Sequence, residues 1–202
     1  MGVFNFTKGG FTGSVGVHTG RNWKGKQVLA PKTKPKYTRS PDQANVRDGF
    51  GRFNHWVSIF APELSFDTSL DINGRTVRTA IIKANKENIA DASAPYEEMI
   101  INTGGRQKPI NFAATNNAGI ITATWSKPTS TVYTDKAKMI ILIVDEDDEM
   151  CEVLRVDPAA ETATNTINMG TNTDIYVYAW LLDKIGSSRV GSKNVGIKLA
   201  HS

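Results

Sequence analysis

With one cysteine and three histidines in 202 residues, the chain is poor in the side chains that bind metals and attack carbonyls. Cys151 has no partner for an internal disulfide, so burial and hydrogen bonding are expected to hold the fold. His18, His55 and His201 fall at no ligand spacing such as His-x3-His, and no Cys-x2-Cys occurs; no metal site is expected. Gly-x-Ser-x-Gly, a phosphate loop and a dinucleotide fingerprint are all missing. No pair of carboxylates sits where desolvation can be argued. The expectation is a chain that is not an enzyme and takes no cofactor. The longest stretch of aliphatic side chains and methionine is the six residues 139–144, against about 20 needed to span a bilayer. No early run joins a basic start, an apolar stretch and a small-residue cleavage site. A soluble chain without an export signal or membrane contact is therefore expected.

Acidic residues are also missing from the first 40 positions. Residues 1–56 carry ten Lys or Arg against Asp42 and Asp48, a local charge of +8, while the other 146 residues carry 14 against 18, or −4. Such polarity suits a basic tail that meets an acidic partner: nucleic acid, an acidic protein, or the acidic half of a neighbouring copy.

What the first 39 residues do contain is glycine (Gly2, Gly9, Gly10, Gly13, Gly16, Gly20 and Gly25), proline (Pro31, Pro35) and lysine. Glycine frees the backbone and spaced proline extends it, with no sustained period, so 1–39 reads as an extended arm. Val3, Phe4, Phe6, Phe11, Val15 and Val17 have no use in a solvated tail and are expected to dock on something. Ser40-Pro41-Asp42-Gln43 then marks a helix start, with Ser40 as cap and Pro41 in the first turn. Val46, Phe50, Phe53, Val57 and Phe60 follow as an apolar stripe, weakened by Gly49 and Gly51 at about 1 kcal/mol each. A second helix is expected over 73–90 on Val77, Ile81, Ile82 and Ala84, making 40–92 a helical segment.

From Tyr96 the period shortens. Strands are expected at 98–102, 119–126, 137–144, 151–156, 162–169, 174–182 and 194–200, separated by turn residues such as Asn116-Asn117-Ala118-Gly119. Seven short strands at this spacing predict a mainly β chain whose residues 93–202 form an antiparallel immunoglobulin-like β-sandwich. Asp145-Glu146-Asp147-Asp148-Glu149 lacks the glycine and distal glutamate of a calcium loop. It reads as a solvated hairpin tip that discourages edge pairing, and as a possible contact for a basic arm from another subunit.

Two stretches resemble a fibronectin type III module. Ile120-Ile121-Thr122-Ala123-Thr124-Trp125-Ser126-Lys127-Pro128 is similar to that family's second strand, and Asp174-Ile175-Tyr176-Val177-Tyr178-Ala179-Trp180 to its sixth. On the residues themselves, Trp125 fills the space between sheets and Tyr176 packs its ring while its hydroxyl bonds the chain near a corner. The start of the chain, Gly9-Gly10-Phe11-Thr12-Gly13-Ser14-Val15-Gly16, Trp23-Lys24-Gly25-Lys26 and Ser40-Pro41-Asp42-Gln43 with Arg47 and Phe50, resembles an uncharacterised bacterial and phage family. That resemblance covers nearly the whole chain and implies an accessory phage or surface-assembly component, with no activity to carry over.

Together these readings lead to a non-enzymatic structural protein of a phage virion or related assembly, capsid- or tail-associated and made in the host cytoplasm. Its partners are expected to be protein subunits, including its own copies. The partner-binding arm is expected to use Phe4, Phe6, Phe11, Arg21, Trp23, Lys24, Lys26, Lys32, Lys34, Lys36 and Arg39. The same cations would serve a non-specific nucleic-acid binder, with Trp23 or Tyr37 stacking on bases. A surface adhesion module is the third reading, and the sandwich alone suggests it.

Overall fold

The computed structural model describes residues 13–15, 18–23, 26–31, 40–64, 67–70, 76–90, 95–127, 133–169, 174–185 and 188–199. They fall into two units, Met1–Ser40 and Pro41–Ser202. In the first, where an arm without regular structure is expected, three strands pair antiparallel in the order β1-β2-β3: Gly13–Val15, His18–Trp23 and Lys26–Pro31. Val15 is registered on His18, His18 on Pro31 and Trp23 on Lys26. Valine, threonine and tryptophan favour a pleated backbone, and the interspersed glycines hide the alternation that would announce it.

The second unit opens with helix α1, Pro41–Phe60, beginning where the Ser40-Pro41 signal places it. Its apolar stripe divides. Phe53, Val57 and Phe60 are buried with Trp56, whereas Val46 and Phe50 stay 48% and 47% exposed. Helix α2 is shorter than expected, Val77–Ala84; Thr76 caps it by accepting from the Thr79 amide at 3.3 Å. Part of the expected 73–90 helix lies outside the described residues. Arg78 reaches from α2 to the side chain and carbonyl of Asn54 on α1 (3.1 and 3.3 Å).

The strands of this unit are mainly those the pattern predicts, in two antiparallel sheets. A three-stranded sheet has the order β4-β5-β8, from Ile110–Asn117, Ile120–Ser126 and Thr162–Thr164. A five-stranded sheet comprises β6, Lys138–Asp145, β7, Met150–Val156, β9, Ile175–Ile185, β10, Ser188–Gly191, and β11, Val195–Leu199. Its order is β10-β9-β6-β7, and β11 continues along β9 beside β10. Strands β4 and β10 are additions to the expected set. Ala118 and Gly119, with φ of +51° and +84°, close the β4–β5 hairpin in two residues, the mirror-image turn whose twist suits paired strands. A Cβ at Gly119 would stand 1.9 Å from the Asn168 side-chain oxygen.

The central strands β6 and β9 are covered on both faces. Ile121, Ala123 and Trp125 of β5 pack with Met139, Ile141, Ile143, Ile175, Val177, Ala179 and Leu181 on one side. Ile140, Leu142, Val144, Tyr176, Tyr178 and Trp180 turn the other way, onto α1 and α2. Trp125 thus lies between the sheets as expected, its indole donating to the Pro158 carbonyl at 2.8 Å. Tyr176 packs its ring edge-on to Tyr96 and Trp56. The hydroxyl-to-backbone bond, however, comes from its neighbour Tyr178, which donates to the Tyr96 carbonyl at 2.5 Å.

One expected strand is replaced by another device. Residues 98–102 follow a 3-10 turn at Tyr96–Glu98 and belong to no strand. Asparagine side chains bond this backbone instead. Asn85 accepts from the Ile100 amide (2.7 Å) and donates to its carbonyl (2.8 Å). Asn194 accepts from the amides of Ile101 and Asn102 and donates to the Met99 carbonyl. A carboxamide offers the same acceptor and donor as a peptide, so it serves an extended segment without a partner strand. Likewise 162–169 is a strand only over Thr162–Thr164, because Asn165 turns the chain by accepting from the Ile121 amide at 2.8 Å.

Candidate functional site

The acidic run occupies the β6–β7 turn, but it is tied to α1 rather than solvated throughout. Asp145 is fully buried and accepts from the Asp148 amide at 3.2 Å. Glu146 accepts from the Tyr96 hydroxyl at 3.2 Å, and Glu149 meets His55 of α1 at 3.4 Å. Asp147, Asp148 and Glu149 are exposed. The Arg52 guanidinium lies 4.9 Å over the Tyr96 ring, which stacks on Trp56 at 4.7 Å. Burial raises the Glu146 carboxyl above its ordinary value, against the opposing pull of Tyr96 and Arg52. Burial and then the Glu146 charge push the Tyr96 hydroxyl up as well. Both groups hold their protons more tightly than in water, which suits an anchoring hydrogen bond. Among the described residues no three His, Cys, Asp or Glu side chains come together to hold a metal ion.

An apolar feature lies on α1's first half. A groove of about 580 Å³ runs between this segment and the far end of α2, lined by Val46, Phe50, Ile82 and Ile89 with Asp42, Gln43, Arg47 and Lys86. Since Arg78 meets Asn54, α2 runs back along α1, and Ile82 and Ile89 form one wall while Val46 and Phe50 form the other. The lining combines four apolar side chains with three charged ones and a glutamine, a makeup that suits recognition of a partly apolar partner. A second cleft, about 370 Å³, lies along Met99, Ile100, Asn102 and Thr103, with Glu97, Glu98, Lys108 and Lys193 among its lining residues.

Of the expected arm residues, Arg21 and Trp23 lie on β2 and Lys26 on β3. Phe4, Phe6, Phe11, Lys24, Lys32, Lys34, Lys36 and Arg39 lie outside the described residues. The groove was missed from sequence because Val46 and Phe50 share the spacing of Phe53 and Val57. No described helix is long and apolar enough to cross a membrane.

No family model matches the sequence, and no curated protein matches it either. Among solved structures, one titled "Myokine structure" is similar over 48% of this chain and 99% of that one, at 14% identity and a TM-score of 0.33. A likeness of that size carries no argument about fold or function.

Proposed function

We propose that this chain is a non-enzymatic structural subunit of a phage virion or related assembly, whose N-terminal segment docks on neighbouring subunits. The observation that carries the reading is the division into a small first unit and a large second one. Strands of three, six and six residues make a sheet that needs a covered apolar face to persist. We propose that a neighbouring subunit supplies the cover. The apolar residues Val3, Phe4, Phe6 and Phe11 ahead of it suit protein contact better than phosphate. Within the second unit, the antiparallel strand order and the placement of Trp125 support an immunoglobulin-like, fibronectin type III-like pairing of the two sheets.

Deleting residues 1–39 tests the reading. The expected product keeps the fold of the second unit and no longer forms the larger assembly of the full chain, as read by light scattering. A truncated chain that assembles normally refutes it. If instead the full chain binds DNA at about 50 mM salt with a log–log slope near −4 to −7, five to eight phosphate contacts are implied and the nucleic-acid reading replaces it.

A further inference from the structure

The charges along α1 repeat a spacing that the assembly reading does not use. Gln43, Val46 and Phe50 follow one another at three and four residues, so they form one seam, and the next position in that register, Phe53, turns into the chain's own core. Asp42 and Arg47 flank the seam on opposite sides, five residues apart. In two parallel helices packed along such a seam, each flanking residue meets the partner's residue five positions on. Asp42 of one copy would then face Arg47 of the other, twice over by symmetry. Lys86 is a second cation among the groove's lining residues.

We propose that the first half of α1 pairs in parallel with the same segment of a second copy, about a two-fold axis, with Val46 and Phe50 of each seated in the other's groove. The surface is charge-complementary to itself in this register: one acid and its matching base flank one apolar seam. An antiparallel pair would bring like flanks together instead, acid beside acid. The proposal deepens the assembly reading by naming the partner. It rests on residues 42–89, not on residues 1–39, so the two can fail separately.

Sedimentation of the full chain from about 5 μM to 1 mM tests it, a range suited to a seam little more than one heptad long. Phe50→Asp should raise the dissociation constant at least about tenfold, and its exposure leaves the fold intact by circular dichroism. Asp42→Lys and Arg47→Asp should each weaken association roughly two- to thirtyfold, the range for two exposed ion pairs lost together. The decisive sample is an equimolar mixture of those two variants. Each alone sets like charges in register, whereas the mixed pair sets both contacts opposite, so the mixture should recover near wild-type association. A monomer across the range, or a mixture no tighter than its components, overturns the proposal. Association that ignores these substitutions and disappears on deleting residues 1–39 also overturns it, and leaves the arm reading standing.

Discussion

Replacing Asn102 by alanine removes one side chain that ties its own segment to two others. Its oxygen accepts from the Thr68 hydroxyl (2.9 Å), the Ser69 amide (2.6 Å) and the Ser69 hydroxyl (3.2 Å), and its nitrogen donates to the Ser192 carbonyl at 2.7 Å. Asn102 and Ser192 are fully buried. The Ser69 hydroxyl keeps a second acceptor in the Thr103 carbonyl, so the groups left without a partner are the Ser69 amide, the Ser192 carbonyl and the Thr68 hydroxyl proton. At about 1–3 kcal/mol for each stranded group, Asn102→Ala should cost about 3–9 kcal/mol. That is a large share of a typical native stability of about 5–15 kcal/mol. Urea unfolding followed by tryptophan fluorescence reads this directly, since Trp180 donates to the Asp67 carbonyl next to Thr68.

Asn102→Asp separates the donor from the acceptor. The substituted carboxyl keeps an oxygen for Thr68 and Ser69 but turns its other oxygen on the Ser192 carbonyl, a contact that holds only while the group is protonated. Its pKa in the folded state is therefore raised. A raised pKa gives stability that is fully present below the unfolded value, near about 4, and is lost as pH rises through the folded value. The deficit against wild type should be small in mild acid and widen toward neutrality. An Asn102→Ala loss under about 1 kcal/mol, or an Asn102→Asp deficit that does not change with pH, would refute this account of the asparagine network.

Burial pushes the Cys151 thiol from an ordinary 9.0 up to about 11, so at pH 8 Ellman's reagent should react about a hundredfold more slowly with the native chain than with the urea-unfolded one. A native rate within a few-fold of the unfolded one contradicts that. Glu146, raised by burial above its ordinary 4.5, favours the folded state while protonated and loses that contribution as pH rises. Glu146→Gln should therefore gain in Tm relative to wild type between about pH 4 and pH 7; a gain that shrinks over that range would be the wrong sign. Gly51 sits inside α1 with nothing within 4 Å of where a Cβ would stand. Gly51→Ala should add about 0.5–1 kcal/mol in thermal or urea unfolding, and a loss would mean that the position is covered.

Local chemistry was legible where a signal sits within a few residues. Ser40-Pro41 fixes the start of α1, and alternation finds β5, β7 and β11. The strands of the first unit were not legible, because glycines at Gly13 and Gly20 interrupt any period of two. Nor was the helical layer over the sheet, although its trace is present. In a two-sheet arrangement with one solvated face, β6 should alternate; instead 139–144 is apolar throughout, as a strand covered on both faces must be. The 98–102 pattern was real, but side chains outside it serve its backbone, Asn85 from the end of α2 and Asn194 from more than 90 residues along the chain. Distance also hid the anchoring of the acidic turn, since Tyr96 and His55 lie about 50 and 90 residues from their partners. The groove depends on where the end of α2 lies against Val46 and Phe50, a relation between separate elements that helical spacing alone does not express.

A sheet roofed by helices from an earlier part of the chain is not a transferable bead. Chain that begins after the helices would present Ile140, Leu142, Val144, Tyr176, Tyr178 and Trp180 to water along one continuous face, and such a face recruits whatever apolar surface is nearest. During synthesis α1 and α2 emerge first and must wait for β6 and β9, more than fifty residues later, to acquire a core. The second unit consequently commits late and as a whole. Its slowest-exchanging amides should be those of β6 and β9, which exchange only when the helical layer and the second sheet come off together.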